Sequence, residues 1–222
     1  MVDERRRPGA IDDRSPPVPF RAILILSDPD DLPGLVERAG TVYGTVGVMI
    51  RDAGHRPTEV ARLVRSIDPA TIPQGVVPIV NAPPADLAIP EGWWVHLPAA
   101  RTAEGADLAV PFGSSVHSLA ELDRSERAGA AYVVAGPIWP TDSKPGHPGI
   151  GIELFSRLCN RSSAPVFGLG GVRDADRVEQ VLAAGGFGFA CRSCGTDVMT
   201  GRLYEMLARL GDRASGLEVR RG

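Results

Sequence analysis

The chain has 222 residues and a formal net charge of -3, from 24 basic and 27 acidic side chains. Hydrophobic residues make up 43% of it and charged residues 23%, proportions typical of globular domains, which excludes wholesale disorder. The near balance of charge disfavours nucleic acid or an anionic membrane as the main partner, and no stretch reaches the roughly 18 apolar residues of a membrane-spanning helix. The first twenty residues lack the apolar core of a secretory signal. We therefore expect a soluble, cytoplasmic protein.

Both ends of the chain are polar and charged. Residues 1–19 are rich in proline and arginine and cannot bury enough apolar surface to order themselves. We predict a flexible N-terminal arm over 1–19, one folded domain over 20–212 and a flexible tail over 213–222.

In the first half of the domain, short apolar runs alternate with amphipathic segments. The predicted strands are AILIL (22–26), TVGVMI (45–50), GVVPIV (75–80) and WWVHL (93–97). Helices are predicted in LPGLVERAG (32–40) and in PTEVARLVRSI (57–67), whose apolar residues follow helical spacing. The segments PADLA and RTAEGADLA, after the third and fourth strands, are poor helix formers. Trp93 and Trp94 are adjacent on a strand, so we expect one in the core and the other facing a helix.

The second half of the domain continues the alternation. The predicted strands are LAVPFG (108–113), AYVVAG (131–136), PVFGLGG (165–171) and FGFAC (187–191). The predicted helices are SLAELDRSERAGA (118–130), IELFSRLCN (152–160), DADRVEQVLAAGG (174–186) and GRLYEMLARLG (201–211). Ser118, with Glu121 three residues later, forms a capping-box pattern, and Asp174 is a second predicted N-cap.

Eight apolar strands that alternate with helices predict a parallel sheet closed as a TIM (β/α)8 barrel, irregular after the third and fourth strands. A doubly wound open sheet is the alternative, weakened because no G-x-G-x-x-G follows the first strand. The chemistry of a TIM barrel lies at the C-terminal ends of its strands. The candidate site residues at those ends are Ser27, Asp28, Arg51, Asp52, Asn81, His96, Ser114, Ser115, His117, Gly170, Gly171, Arg192 and Ser193.

Two glycine-containing turns predict a phosphate site. Gly170 and Gly171 end the seventh predicted strand, and CRSCG ends the eighth. Glycine lets backbone N–H groups approach an anion, and a phosphate between these two loops recurs in TIM barrels. The alternative interpretation is that the glycines only make tight turns. Cys191 and Cys194 supply two zinc ligands at most, so we do not expect a metal or redox role for them.

The loop over 136–149 is long enough to be a functional lid. Lys144 lies near the hydroxyls of Thr141 and Ser143, a combination suited to a second anion. The alternative is a solvent-exposed loop lysine. Trp139 in the same loop could stack on a heterocycle or pack the loop down.

The ordered set of segments resembles the thiamin phosphate synthase and thiazole tautomerase superfamily. The resemblance covers about residues 22–210, and no single segment is specific by itself. The segments that carry it are LILSD, VMIRDAG, VNAPPADLA, WWVHL, SSVHSLAEL, GAAYVVAGPIWPTDSKPG, PVFGLGGV and GFACRSCG.

The resemblance implies a TIM barrel that binds thiazole phosphate or its carboxylate precursor. It places the phosphate at Gly171 and Ser193. In the synthase a pyrimidine pyrophosphate binds with Mg²⁺, and lysine and arginine stabilise the departing charge. The pyrophosphate side would be lined by Arg51, Asn81, Ser115, Thr141, Ser143 and Lys144. The resemblance also implies a homodimer.

The chain departs from the superfamily pattern at several functional positions. Met49 and Ala53 replace a glutamine and a lysine of the synthase, and Ala82 and Arg101 replace its two metal-binding acids. Mg²⁺ therefore lacks its usual carboxylate ligands. Pro137 stands where the tautomerase has a catalytic histidine. The tautomerase reaction moves a proton and a double bond without a metal, so a substitute base is required. The candidates for this base are His117, His96 and His147.

Three functions remain open. The first is a thiamin-pathway enzyme, synthase-like or tautomerase-like, with Lys144 and His117 as its candidate catalytic residues. The second is a non-catalytic paralogue that binds a phosphorylated heterocycle. The third is another phosphate-binding TIM-barrel enzyme with an unrelated substrate. His96 and His117 also have a purely structural interpretation.

Overall fold

The computed structural model of the chain describes residues 18–26, 46–52, 54, 56–142, 144–192, 201–203 and 205–210. Neighbouring strands pair in parallel, and β1 pairs with both β2 and β8, so the sheet closes in sequence order. The predicted TIM (β/α)8 barrel is confirmed, and the open sheet is excluded. The strands are β1 (Ala22–Leu26), β2 (Val46–Ile50), β3 (Val76–Asn81), β4 (Trp94–Leu97), β5 (Phe112–Val116), β6 (Tyr132–Ala135), β7 (Val166–Leu169) and β8 (Gly188–Cys191).

The helices follow the predicted amphipathic segments. They are α1 (Pro57–Ser66), α2 (Leu119–Arg127), α3 (Gly151–Arg161) and α4 (Ala175–Ala183), and residues 201–203 and 205–210 are also helical. The helix predicted over 32–40 lies outside the described residues. Within the described ranges, no helix has the length and apolar character to cross a membrane.

The barrel is irregular where poor helix formers were predicted. Turns connect β3 to β4, and a 3-10 segment, Ala99–Asp107, connects β4 to β5. RTAEGADLA lacks the apolar spacing of an amphipathic helix, and Gly105 lies against the Phe112 ring, where a side chain would collide. The tighter 3-10 turn therefore replaces an α-helix here.

The fifth strand was predicted too early. The apolar run 108–113 suggested a strand there, but β5 spans Phe112–Val116. Pro111 has no N–H to donate to a ladder, so Leu108 and Val110 belong to the connection before the strand. Ser114 and Ser115 were predicted at the strand end and instead lie inside β5. Their hydroxyls are satisfied by Ser125 and by His96, respectively.

Apolar side chains pack on both faces of the barrel wall. Outside, Trp93 packs with the buried side chains of α1, including Val60 and Val64. Inside, Trp94 packs with Phe20 and Tyr132. The split predicted for the tryptophan pair is thus confirmed. Partly buried Val18 also packs against the interior cluster; the predicted flexible segments fall mostly outside the described residues.

Candidate functional site

Strand register brings polar side chains to the C-terminal end of the barrel interior. Asn81 pairs with His96, and His96 pairs with Gly113 on the next strand. Because side chains alternate along a strand, Arg51 continues the inward row of Met49. Arg51 follows β2 and Arg192 follows β8, with β1 between those strands. Side chains from β2, β3, β4, β5 and β8 thus converge on one mouth.

His96 is buried and accepts or donates hydrogen bonds at both ring nitrogens. Its Nε2 lies 2.9 Å from Oγ of Ser115, and its Nδ1 lies 3.2 Å from the hydroxyl of Tyr132. Burial and the nearby positive charge of Arg51 lower the pKa of His96 to about 3. A histidine that is neutral and occupied at both nitrogens is a poor proton-transfer group near pH 7, which disfavours His96 as the substitute base.

Two arginines lie near each other at the mouth. Burial lowers the pKa of Arg51, and the Arg192 guanidinium lowers it further, while Asp52 acts in the opposite direction. Asp52 is itself held by Arg56, whose backbone N and Nε donate to its Oδ2 at 2.9 and 3.2 Å. These bonds lower the pKa of Asp52 to about 2. Two neighbouring guanidiniums repel one another, and an anion bound between them would relieve that repulsion.

The turn after β7 has the backbone geometry of an anion site. Ile138 N donates to Leu169 O at 2.7 Å, and Trp139 N donates to Gly170 O at 3.2 Å. In a trans peptide, the carbonyl of one residue and the N–H of the next point in opposite directions. The carbonyls of Leu169 and Gly170 point toward the β6 loop, so the N–H groups of Gly170 and Gly171 point away from it. Successive N–H groups aimed one way form a concavity for anions. β8 lies on that side of β7.

The same glycines are also required by packing. Gly170 and Gly171 have φ values of +91° and +73°, which side chains disfavour. A Cβ on Gly170 would collide with Pro137, and one on Gly171 would lie 2.7 Å from Cβ of Trp139. The two glycines therefore make a tight turn, as the alternative interpretation expected, and the same turn also leaves their N–H groups placed for a phosphate.

The loop over 136–149 packs down through Trp139. The guanidinium carbon of Arg177, on α4, lies 4.2 Å from the centroid of the Trp139 ring. This contact favours the packing role over a stacking role for the tryptophan. Thr141 is partly buried and Lys144 is exposed, with the Lys144 backbone N donating to Thr141 O at 3.1 Å. Ser143 lies outside the described residues.

His117 forms a pair with a carboxylate. Its Nδ1 lies 3.0 Å from Oε2 of Glu121, which also accepts from the His117 backbone N at 2.6 Å. The side chain of His117 is 38% exposed. A carboxylate on Nδ1 orients the ring and leaves Nε2 as the reactive nitrogen. His147 is exposed in the loop, with its Nδ1 accepting from Gly149 N at 2.9 Å.

The residues at the two positions where the resemblance implies metal-binding acids do not fit Mg²⁺. Ala82 has φ +48° and no oxygen ligand in its side chain. Arg101 donates to Glu104 at 2.6–3.0 Å and to the carbonyl of Pro83 at 2.9 Å. Among the described residues, no group of three or more acids, histidines or cysteines could hold a metal ion. Magnesium prefers carboxylate and phosphate oxygens, and neither Ala82 nor Arg101 supplies one.

The structure gathers some of the predicted site residues and separates others. Arg51, Asn81, His96, Ser115 and Arg192 share the mouth, whereas Lys144 lies on the exposed loop. Ser193 and Cys194 lie outside the described residues; Cys191 is buried in β8 and disulfide-bonded.

Sequence reasoning missed the contacts of three side chains in this region. Tyr132 sits in an apolar strand and carried no visible sign of its contact with His96. Arg177 was assigned only to a helix, and its contact with Trp139 is long-range. Glu121 was predicted as the second half of a capping box, but its carboxylate binds His117 rather than Ser118. The S-x-H-S-x-x-E spacing was the available signal for that pair.

The chain is similar to thiamine-phosphate synthases. A family model described as TMP-TENI, thiamine monophosphate synthase, matches residues 24–194. A thiamine-phosphate synthase of Gloeobacter violaceus is 32% identical over 172 residues, which are 74% of this chain and 49% of that protein. One from Azorhizobium caulinodans is 34% identical over 155 residues, 66% of this chain and 72% of that protein.

The fold of the chain is also similar to that of a solved thiamine phosphate pyrophosphorylase. The thiamine phosphate pyrophosphorylase from Pyrococcus furiosus has a TM-score of 0.66 at 23% identity, covering 87% of this chain and 96% of that one. At this identity the likeness shows the fold alone. The present chain spans about half the length of the Gloeobacter relative.

Proposed function

Because the chain belongs to the thiamine monophosphate synthase family, we propose that it binds a phosphorylated thiazole at the C-terminal mouth of its barrel. The observation that carries the proposal is the turn after β7: the carbonyls of Leu169 and Gly170 accept from the β6 loop, so the N–H groups of Gly170 and Gly171 point away from that loop. Arg192 follows β8 and adds a positive charge. Backbone donors with a neighbouring guanidinium suit a phosphate dianion.

We propose further that the reaction is a metal-free proton transfer of the tautomerase type. His117 is the proton-transfer group in this proposal. A base takes a proton from one carbon of the thiazole carboxylate phosphate, the ring double bond shifts, and a proton returns at another position, with no net oxidation. The Glu121 carboxylate supports this role because it stabilises the imidazolium formed midway. Lys144 would offset the second negative charge if the loop turns it inward.

Binding without turnover is the second candidate. It is supported by Ala82, Arg101 and Pro137, which stand where the resemblance implies two metal-binding acids and a catalytic histidine. Buried, neutral His96 cannot replace the missing base. This candidate shares the phosphate site and differs only in chemistry.

Calorimetric titration tests the binding proposal. The ligands are thiazole phosphate, thiazole carboxylate phosphate, the dephosphorylated thiazole alcohol and inorganic phosphate, each with and without Mg²⁺. We expect both thiazole phosphates to bind well above phosphate and alcohol, with no effect of Mg²⁺. Arg192→Gln should weaken them about tenfold or more, since a charge-assisted hydrogen bond is worth about 1.5–3 kcal/mol. Arg65→Gln is the control, because Arg65 lies in the last turn of α1, at the opposite end of the barrel.

NMR detection of the two thiazole carboxylate isomers tests the reaction. Interconversion that falls about 10²–10⁴-fold in His117→Gln supports the proton-transfer assignment. Tight binding without interconversion in the wild-type protein identifies the non-catalytic candidate. Equal affinity for phosphate and thiazoles would contradict the thiazole proposal and leave a general phosphate-binding barrel.

A further inference from the structure

Three polar side chains form a chain of hydrogen bonds that leads from the barrel interior to the mouth. Tyr132 is fully buried, and its hydroxyl contacts Nδ1 of His96 at 3.2 Å. Nε2 of His96 contacts Oγ of partly buried Ser115 at 2.9 Å. Only the last member of this chain is accessible to a ligand.

The available protons favour one direction of donation along this series of hydrogen bonds, from Tyr132 through His96 to Ser115. If the Tyr132 hydroxyl donates to Nδ1, then Nε2 carries the ring proton and donates to Ser115. In the opposite arrangement Nδ1–H donates to Tyr132 and the buried phenolic proton loses this partner, at a cost of about 1–3 kcal/mol. Burial raises the pKa of Tyr132, so the phenol keeps its proton and remains a donor.

Packing fixes the position of the Tyr132 hydroxyl. The ring stacks on His96 with centroids 5.7 Å apart and an interplanar angle of 26°. Phe20 and Phe167 contact it edge-on, at 5.6 and 5.5 Å. Gly113 leaves room for the ring, because a Cβ at that position would overlap it. These contacts therefore hold the Tyr132 hydroxyl at hydrogen-bonding distance from Nδ1 of His96.

We propose that Tyr132 and His96 are positioning residues that turn the Ser115 hydroxyl proton into the mouth, where it donates to the carboxylate of a thiazole carboxylate phosphate. Once Nε2–H donates to Oγ, the Ser115 proton must point elsewhere. This inference rests on the proposed function for the identity of the ligand. The positive charge of Arg51 acts on His96, so a cation lies near this series of hydrogen bonds.

The position of Ser115 in the barrel favours the carboxylate of the ligand, rather than its phosphate, as the group that the Ser115 hydroxyl contacts. The anion site lies between β7 and β8, and Ser115 lies on β5, two to three strand spacings away, or roughly 10–14 Å along the wall. Two anionic groups separated by one ring would meet the two sites at the same time. The Ser115 hydroxyl therefore distinguishes the carboxylated thiazole from the plain thiazole phosphate.

The first test needs no ligand. Nitrogen-15 NMR of the histidine-labelled protein identifies which ring nitrogen of His96 carries the proton. We expect a protonated Nε2 in the wild-type protein and a mixture of tautomers in Tyr132→Phe. An Nδ1–H form in the wild-type protein would overturn the proposal.

The second test compares affinities for thiazole carboxylate phosphate and thiazole phosphate. Ser115→Ala should weaken the carboxylated ligand about tenfold and leave the other unchanged, and Tyr132→Phe should act in the same direction to a smaller extent. Ser114→Ala is the matched control: Ser114 lies next to Ser115 on β5, but its hydroxyl contacts Ser125 at 2.6 Å.

The outcomes separate this inference from the proposed function. Equal weakening of both ligands by Ser115→Ala, or no effect of Tyr132→Phe on the carboxylated ligand, would overturn the positioning role while leaving thiazole binding intact. If the wild-type protein bound neither thiazole, the proposed function and the ligand assigned to Ser115 would both fail, and the NMR result would still decide whether Tyr132 and His96 orient the serine.

Discussion

At the scale of single residues, the buried imidazole of His96 links stability to pH. Its folded pKa is lowered to about 3, against 6.5 for an ordinary histidine. Between these values the unfolded chain binds a proton that the folded chain excludes, so the free energy of unfolding falls as the pH drops from about 6.5 toward 3. The groups facing the ring, Arg51 and Tyr132, do not change charge in this window.

We expect His96→Gln to flatten this part of the pH dependence. Urea unfolding at several pH values between 4 and 7 measures the slope, which is informative even when the variant is less stable throughout. His147→Gln is the control, since His147 is exposed in the loop. An unchanged slope in His96→Gln would contradict a neutral, buried imidazole.

Gly113 is a residue whose missing side chain has a structural role. The ring of Tyr132 occupies the space that a Cβ would fill. Gly113→Ala should lower the free energy of unfolding by about 1–3 kcal/mol, the usual cost of overpacking a core. Urea denaturation measures it, and Gly201→Ala is the control: among the described residues outside its own helix, no atom lies within 4 Å of its Cβ position, and alanine is the better helix former. Equal effects of the two substitutions would contradict the assigned contact.

At the scale of elements, two helices begin at side-chain caps. Ser118 Oγ accepts from Glu121 N at 3.3 Å, and Asp174 Oδ1 accepts from Arg177 N at 2.9 Å. Ser118→Ala and Asp174→Ala should each lower the free energy of unfolding by about 1 kcal/mol. Because the caps belong to different helices, the losses should add in the double variant. Ser66→Ala, at the C-terminal end of α1, should change stability little, and thermal unfolding followed by circular dichroism compares the four variants.

Elements could be predicted from the sequence where one local signal was sufficient. Buried parallel strands are continuous apolar runs, and the caps at Ser118 and Asp174 are short motifs, so both were predicted. The fifth strand was predicted too early because the apolar run 108–113 was taken as the strand and the polar Ser114 and Ser115 were placed at its end. In the structure these hydroxyls contact Ser125 and His96, and His96 lies on another strand.

The candidate site, like the helices and strands, could be predicted only where a local signal in the sequence was sufficient. The rule that chemistry lies at strand ends placed Arg51, His96 and Arg192 at the C-terminal end of the barrel, where the structure also has them. The contact of Tyr132 with His96 spans 36 residues, and that of Arg177 with Trp139 spans 38, so neither leaves a local pattern. Lys144 was predicted beside an anion, but its place on the exposed loop depends on packing that the sequence does not encode locally.

At the scale of the whole molecule, Arg21, just before β1, connects the first strand to the start of β8 and to the last described helix. Nε of Arg21 donates to Phe187 O at 3.0 Å, and its Nη1 donates to Leu210 O at 3.1 Å, at the end of the helical residues 205–210. The same guanidinium lies 5.2 Å from the centroid of the Phe187 ring. These contacts tie the start of the domain to its last described helix.

Phe20 fills the interior of the closed barrel, so its loss should destabilise the whole molecule. The side chain is fully buried, with ring centroids 5.5 Å from Trp94, 5.6 Å from Tyr132 and 5.7 Å from Phe167. Phe20→Ala should lower the free energy of unfolding by about 3–5 kcal/mol, because it removes a core ring shared by β4, β6 and β7. Val18→Ala, at a partly buried position, should cost much less.

Urea unfolding followed separately by tryptophan fluorescence and by circular dichroism measures the loss and its extent. Since the Phe20 ring contacts β4, β6 and β7 of one closed sheet, we expect the two transitions to shift together in Phe20→Ala. The cavity also loosens the packing around Tyr132, so the His96 tautomer should become mixed although no polar group is changed. A tautomer that stayed fixed in Phe20→Ala would show that the hydrogen bond alone, and not the aromatic packing, holds the tyrosine hydroxyl in place.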